Sequence, residues 1–183
     1  MNLVNYEFKA RLKNERHIRA VLKTLRARFA GTDHQVDTYF RVPRGRLKVR
    51  RGDIENALIF YERPNARGAR PSRVRMIELA PGNRVKAILA AAVGVLAVVD
   101  KRREIYFAGN VKIHLDRVHG LGRFVEVEAI SHSGRVRRIR EQARNFQKLF
   151  GITSADIVAE SYSDLVLRES QFPLARSSLR DRL

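Results

Sequence analysis

Cysteine is missing from all 183 residues, which excludes disulfides, thiolate nucleophiles and zinc or iron-sulfur sites built on sulfur. Any metal must bind through oxygen or imidazole, and the composition suits a reducing compartment. Imidazole is sparse too. His17, His34, His119 and His132 are dispersed, and His114 reads as a surface or hydrogen-bonded histidine because no second histidine sits at metal-ligand spacing. Long apolar runs are absent as well: the most hydrophobic stretch, Ile88 to Val99, is too short to span a bilayer and is interrupted by Gly94. With no apolar segment near the first residue, neither a secretory signal nor a membrane partner is expected, and the expected location is cytoplasmic. There is no Walker-type phosphate loop, Rossmann glycine fingerprint, HExxH or serine elbow. Ser161, Ser163 and Asp164 read as a cap-and-turn cluster rather than a triad.

Acids are also in short supply, with 19 Asp and Glu against 37 Lys and Arg, a net charge of +18. The favoured partners are anions: phosphates, nucleotides, nucleic acid or an anionic surface. The 44% hydrophobic and 31% charged content is that of a globular chain, and the length suits one domain.

What is present is charge alternation on separate strand-like segments. Asn5, Glu7, Lys9 and Arg11 interleave with Val4, Tyr6, Phe8, Ala10 and Leu12, and a period of two puts the polar set on one face. Arg46, Lys48 and Arg50 alternate with Leu47 and Val49; Lys112, His114 and Asp116 with Val111, Ile113 and Leu115; Glu126 and Glu128 with Val125, Val127 and Ala129. A water-facing sheet gives such a pattern, but it usually mixes Thr, Ser and Gln with its charges, whereas these faces are almost wholly ionic. The alternative is a sheet closed into a barrel with a charged lumen and an apolar outer side covered by helices.

The rest of the chain fits that plan. Asn14 caps a helix with Ile18, Val21, Leu22, Leu25 and Phe29 at helical spacing and Gly31 as its stop. Strands are expected at Gln35 to Val42, Arg46 to Arg51, Ala57 to Arg63 and Ser72 to Leu79, with turns at Pro43-Arg44-Gly45 and Gly52-Asp53. Pro81 opens a second helix, with Val85, Ile88, Leu89, Ala92 and Val93 on its apolar face and Gly94 at its end. Leu96 to Phe107, bent or preceded by a turn near Asp100, Val111 to Val118 and Arg123 to Ile130 complete about eight strands. A third helix runs Val136 to Phe150, Ser163 to Leu167 reads as a strand or docking turn, and Arg63 to Ser72 as a flexible loop at a barrel mouth. The fold class is α+β, a closed antiparallel barrel with helices outside. Residues 1–168 are expected to form a single domain, with 169–183 expected as a mobile basic tail.

Triphosphate chemistry needs cations for the non-bridging oxygens and carboxylates for a hard divalent ion. Glu7, Glu126 and Glu128 could meet across a closed barrel to hold Mg²⁺ or Mn²⁺, with Lys9, Arg11, Arg46, Lys48, Arg50, Lys101, Arg103 and Lys112 on the opposite wall, acid and base segregated.

In order along the chain, several stretches resemble the CYTH superfamily, the triphosphate tunnel proteins that include class IV adenylyl cyclases and thiamine triphosphatases. Asn5 to Lys9 is similar to its ExExK strand, His34 to Phe40 to its second-strand segment, Gly45 to Arg50 to its basic strand, and Lys101 to Phe107 to its KxR strand. Leu115-Asp116 and Gly120 to Glu128 resemble its GLG-x-F-x-E-x-E segment, and Leu149 to Ile152 and Ser161 to Leu165 its C-terminal part. Tyr61 to Pro64 and Glu160 to Leu165 look most like bacterial class IV adenylyl cyclase proteins.

The resemblance implies a tunnel barrel, a Mg²⁺- or Mn²⁺-bound triphosphate substrate, no cofactor beyond the metal, a cytoplasmic location and, as in many relatives, pairing as a homodimer. It implies Glu7, Glu126 and Glu128 as metal carboxylates, Lys9, Lys48, Arg50, Lys101 and Arg103 as phosphate contacts, and Asp116 near the metal or orienting a base; Lys9, Lys101, Arg103 and Asp116 are the implied catalytic set. Two departures stand out: Asn5 replaces the first Glu of ExExK, and Glu62 stands where many relatives have a lysine, leaving Arg63, Arg70 or Arg73 to substitute.

The expected activity is cyclisation of ATP to cyclic AMP and pyrophosphate. The alternatives are hydrolysis of inorganic, thiamine or nucleoside triphosphate, and non-catalytic binding of RNA or polyphosphate. For nucleic acid the case rests on Arg135, Arg137, Arg138, Arg140 and Arg144 along one helix; it is not favoured, since few aromatics are interleaved for base stacking.

Overall fold

A computed structural model of the chain describes residues 2–65, 68–131 and 136–171. Eight strands form a closed barrel in the order β1-β5-β4-β3-β2-β6-β7-β8, every neighbouring pair antiparallel. They are β1 (Asn2–Arg11), β2 (Arg28–Phe40), β3 (Arg46–Gly52), β4 (Ala57–Glu62), β5 (Arg70–Glu78), β6 (Val95–Ala108), β7 (Val111–Val118) and β8 (Gly122–Ser131). Helix α1 (Glu15–Thr24) follows β1, α2 (Val85–Val93) lies between β5 and β6, and α3 (Val136–Leu149) and α4 (Tyr162–Gln171) follow the barrel. The expected α+β barrel is the observed one.

The two-residue period decides where everything goes. Tyr6, Phe8 and Ala10 of β1, Val111, Ile113 and Leu115 of β7, and Val125, Val127 and Ala129 of β8 face outward and are buried under Ile18 and Leu22 of α1 and Ile139, Ala143 and Phe146 of α3. The main hydrophobic core therefore lies outside the barrel, between its wall and two helices. Each large side chain there contributes about 1.5–3 kcal/mol of burial. The alternate residues are left to face the lumen. A second cluster, with Tyr39, Val99, Phe124, Tyr162 and Leu165, packs the start of α4 against one end of the barrel.

Several boundaries differ from the sequence expectation. The apolar spacing through Leu25 and Phe29 suggests one long helix, yet α1 stops at Thr24, because Leu25 caps it and Arg26 takes a left-handed φ of 49°. Phe29 is instead the second residue of the long strand β2, its ring tilted against that of Tyr106 with centroids 5.0 Å apart. Gly31 is no helix stop: it sits at a bulge in the β2–β6 ladder with φ 132°, and a Cβ there would lie 2.8 Å from Ile54 Cδ1. Helix α2 begins at Val85 rather than Pro81, and none of its residues is buried. Strand β6 runs straight through Asp100. Ser163 to Leu167 is helical, and α4 continues through Glu169 to Gln171; the remainder of the expected tail falls outside the described residues, as do His132 and Arg135. Ser161 and Asp164 form a reciprocal cap at the start of α4, the Ser161 N–H donating to Asp164 Oδ2 at 3.0 Å and the Asp164 N–H to Ser161 Oγ at 3.1 Å.

Candidate functional site

The lumen holds a cavity of about 280 Å³, near the small end of the roughly 300–1,000 Å³ typical of ligand sites. Seven cationic side chains and five carboxylates line it among the described residues. Of the residues predicted for phosphate, Lys9, Lys48, Arg50, Lys101, Arg103 and Lys112 are in the lining, and so are Glu7, Glu126 and Glu128. Arg46 is not. Its guanidinium reaches α4 and donates to Asp164 at 2.7 Å. Arg11 is held over the Phe124 ring, 4.4 Å from its centroid. Asp116 is buried outside the lining, where it accepts Arg103 Nε at 2.7 Å, Arg103 Nη2 at 2.5 Å and the Tyr162 hydroxyl at 2.8 Å. What Asp116 touches is thus Arg103 and Tyr162 at the start of α4.

Acid and base are interleaved in the cavity, contrary to the segregated walls expected from the sequence. Asp37, on β2, is a hub: it accepts Lys101 Nζ at 2.7 Å, Lys48 Nζ at 2.8 Å and Arg50 Nε at 2.8 Å. Burial alone would raise its pKa, but Arg50, Lys101 and Lys48 outweigh that and hold the carboxyl well below the usual range. One carboxylate against three cations leaves local positive charge that a phosphate chain can neutralise.

Glu55 enters from the β3–β4 loop and pairs with Arg50 at 2.8 Å and with Lys112. That loop is clamped by Asp33, which is fully buried and accepts the Ile54 and Glu55 backbone N–H groups at 3.0 Å each. Gly52 allows the clamp, since a Cβ there would lie 2.6 Å from Asp33 Oδ1. Arg63 lines the cavity and pairs with Glu7 at 2.5 Å, so it supplies the inward cation that Glu62 does not; Glu62 is absent from the lining.

The acids of β1 and β8 meet by register. Glu7 is directly opposite Glu128 and Lys9 opposite Glu126, while on the other side of β8 Lys112 faces Glu128 and His114 faces Glu126. Burial pushes Glu128 up, and Glu7 and Glu126 push it further, whereas for Glu126 burial is outweighed by Arg103, Lys9 and Arg63, which hold it low. Like charges set directly opposite are unfavourable without a counter-ion, so this donor set fits a hard divalent cation. Glu126, Glu128 and His114 each place a ligand atom within 4.8 Å of the others. His114 is accordingly not a surface residue: it is 1% exposed, and burial, followed by Arg103 and Lys112, drives its pKa well below the ordinary value. Asn5, in place of the family's glutamate, is buried in the same wall with no partner for its Oδ1.

Residues 3–162 match the CYTH domain. The chain belongs to the CYTH family. Among solved structures, the PH1012 protein of Pyrococcus horikoshii is 25% identical, with a TM-score of 0.75 over 88% of this chain and 99% of its own. A candidate adenylate cyclase from Vibrio parahaemolyticus is 20% identical, with a TM-score of 0.73 over 89% of this chain and 97% of its own. The candidate adenylyl cyclase HpAC1 of Hippeastrum, with a dominant triphosphatase activity, is 15% identical, with a TM-score of 0.58 over 92% and 96%. No curated protein matches by sequence. The fold is therefore the CYTH triphosphate tunnel, and no described helix is long and apolar enough to cross a membrane.

Sequence reasoning missed Asp37, Glu55 and Tyr162 of this CYTH lumen. Tyr162 lies under Lys9, whose Nζ is 3.9 Å from the ring centroid and donates to Glu160 O at 2.9 Å. Strand alternation within His34 to Phe40 could have found Asp37; for a loop acid such as Glu55 no local signal exists.

The buried lysines make a pH prediction. Burial pulls Lys9 down to about 8 and Lys101 to about 7, against the partial opposition of Glu126 and Asp37. A bound polyanion favours the charged forms, so binding draws protons into the protein. At pH 8, tripolyphosphate binding should show an apparent enthalpy that changes with the buffer's ionisation enthalpy, in the sense of proton uptake, and affinity should weaken from pH 7 to 9. Buffer-independent heats at pH 8 would remove the two lysines from the binding site.

Proposed function

We propose that this CYTH protein is a divalent-metal-dependent enzyme acting on a triphosphate bound in the lumen, with cyclisation of ATP to cyclic AMP and pyrophosphate as the reaction. The observation that carries the reading is one cavity that holds both the Asp37 hub, with Lys48, Arg50 and Lys101 for phosphate oxygens, and the Glu7, Glu126 and Glu128 carboxylates for a metal, with further cations set among those acids. An organic triphosphate is favoured over an inorganic one because Val74, Met76, Phe107 and Ile130 add an apolar portion to the same lining, where a base can sit. Family resemblance to adenylyl cyclases points the same way.

Mg²⁺ or Mn²⁺ held by Glu126 and Glu128, with Glu7 beside them, would supply charge neutralisation at the phosphate oxygens. The remaining work falls to the chain. Lys48, Lys101 and Arg50 are fixed by Asp37 and need no reorganisation to meet an anion. Arg103, clamped by Asp116, presents Nη2 next to the metal carboxylate Glu126 at 2.5 Å. In the cyclisation the ribose 3′-oxygen attacks the α-phosphorus in line, the bond from that phosphorus to the bridging oxygen breaks, and pyrophosphate leaves while the hydroxyl proton passes to a base. Lys9, Lys101 and Arg103 would bear the charge that grows on the leaving group.

Hydrolysis is the second reading, supported by the triphosphatase activity of the Hippeastrum protein and by Asn5, which removes one carboxylate from the metal wall. Incubation with ATP, tripolyphosphate or thiamine triphosphate, with and without Mg²⁺ or Mn²⁺, distinguishes the readings. Cyclic AMP with pyrophosphate supports the cyclase, orthophosphate supports the hydrolase, and retention of RNA without turnover overturns both. Glu126→Gln should lower metal-dependent turnover at least about 100-fold with the fold retained. Full activity in that variant would eliminate the carboxylate site.

A further inference from the structure

His114 is a buried polar group in the lumen that the proposed chemistry leaves unused. It lies on β7, facing Glu126 across the β7–β8 ladder, and is 1% exposed. Neither ring nitrogen has a hydrogen-bond partner. Nδ1 sits 3.9 Å from Glu126 Oε2 and 3.8 Å from Glu128 Oε1, too long for hydrogen bonds. Those spacings suit three ligand atoms on one ion, since donors about 2.1 Å from a metal stand roughly 3–4 Å apart. Buried imidazole nitrogens are normally satisfied, so two orphaned ones, with Nδ1 facing a carboxylate pair, need an explanation. The neighbouring wall supplies a reason for a replacement donor: Asn5 offers an amide where a carboxylate would have added charge.

We propose that His114 is a nitrogen ligand of the divalent ion held by Glu126 and Glu128, which makes this site prefer Mn²⁺ and Co²⁺ over Mg²⁺. The inference rests on the metal-dependent reading above. Carboxylate oxygens alone serve Mg²⁺ and Mn²⁺ similarly, whereas an imidazole donor suits the transition ions and adds little for Mg²⁺. The ion shares Glu126 with Arg103, at 2.5 Å, and with Lys9, at 3.6 Å, so the imidazole gives a ligand that neither cation competes for.

The test is spectroscopic and does not depend on turnover. The purified full chain is stripped with chelator, loaded with Mn²⁺ in the presence and absence of tripolyphosphate, and examined by pulsed electron paramagnetic resonance for coupling to an imidazole nitrogen. Wild type should show that coupling and His114→Gln should lose it, with at least about a tenfold loss of Mn²⁺ affinity and a smaller loss for Mg²⁺. Circular dichroism and thermal melting establish that the variant is folded; if it is not, His114→Asn and the wild-type spectrum itself decide the question. Bound Mn²⁺ without nitrogen coupling in wild type overturns the role of His114 and leaves the carboxylate site standing. Coupling that persists in a folded variant also overturns it. No Mn²⁺ retained under either condition overturns this inference together with the metal-dependent reading.

Discussion

Asp37→Asn should lower the melting temperature by about 6–20 °C, and tripolyphosphate should restore much of the loss. The carboxylate is fully buried and is the shared partner of Lys48, Arg50 and Lys101. Removing its charge leaves three cations together in a low-dielectric lumen, and breaking a buried pair in this way typically costs about 3–5 kcal/mol. For a chain of this size each kcal/mol corresponds to roughly 2–4 °C. A polyanion binds only the folded state and supplies the missing charge, so rescue should grow with its concentration. Melting unchanged by the substitution, or unchanged by tripolyphosphate in the variant, would refute the hub.

Lys101→Met should do the opposite to stability while damaging function. Lys101 is 1% exposed, and burial is the main reason its pKa falls to about 7, reinforced by Arg50, Arg103 and Lys48 and countered by Asp37. The sign follows from proton counting. Between the folded value near 7 and the unfolded value of 10.5, the unfolded chain binds more protons, so this lysine makes stability rise with pH across that window. Methionine has similar volume and no charge to desolvate, and Lys48 and Arg50 still satisfy Asp37. Melting at pH 7 should therefore hold steady or increase, the rise between pH 7 and 10 should flatten, and turnover of the productive triphosphate should fall about 100–1,000-fold. A variant that melts much lower at pH 7 would mean the lysine is structural.

How much of this was legible in the sequence depended on whether the signal was periodic. Glu126 and Glu128 between Val125, Val127 and Ala129 could only alternate, so the wall they form and the helix-covered side opposite were readable. The end of α1 was not, because Leu25 and Phe29 continue the helical spacing and the left-handed turn at Arg26 has no glycine to announce it. Roles set by distant neighbours were hidden as well. Asp37 becomes a hub only when Lys48, Arg50 and Lys101 arrive from two other strands, and His114 becomes a wall residue only when β7 joins β8. Arg46 failed as a lumen residue for a comparable reason: its partner, Asp164, comes from a helix more than a hundred positions away.

The loop acid Glu55 has one more implication. Because it and Asp37 already occupy Arg50, Lys48, Lys101 and Lys112, the interior is closer to a zwitterion than to a cationic trap, and with seven cations against five carboxylates in the lining little of the net charge of +18 sits in the lumen. Entry of a polyphosphate is then an exchange of one set of counter-ions for another, with the outer charge governing how often ligands arrive and the inner pairs governing how long they stay. Dissolved salt screens the former far more than the latter.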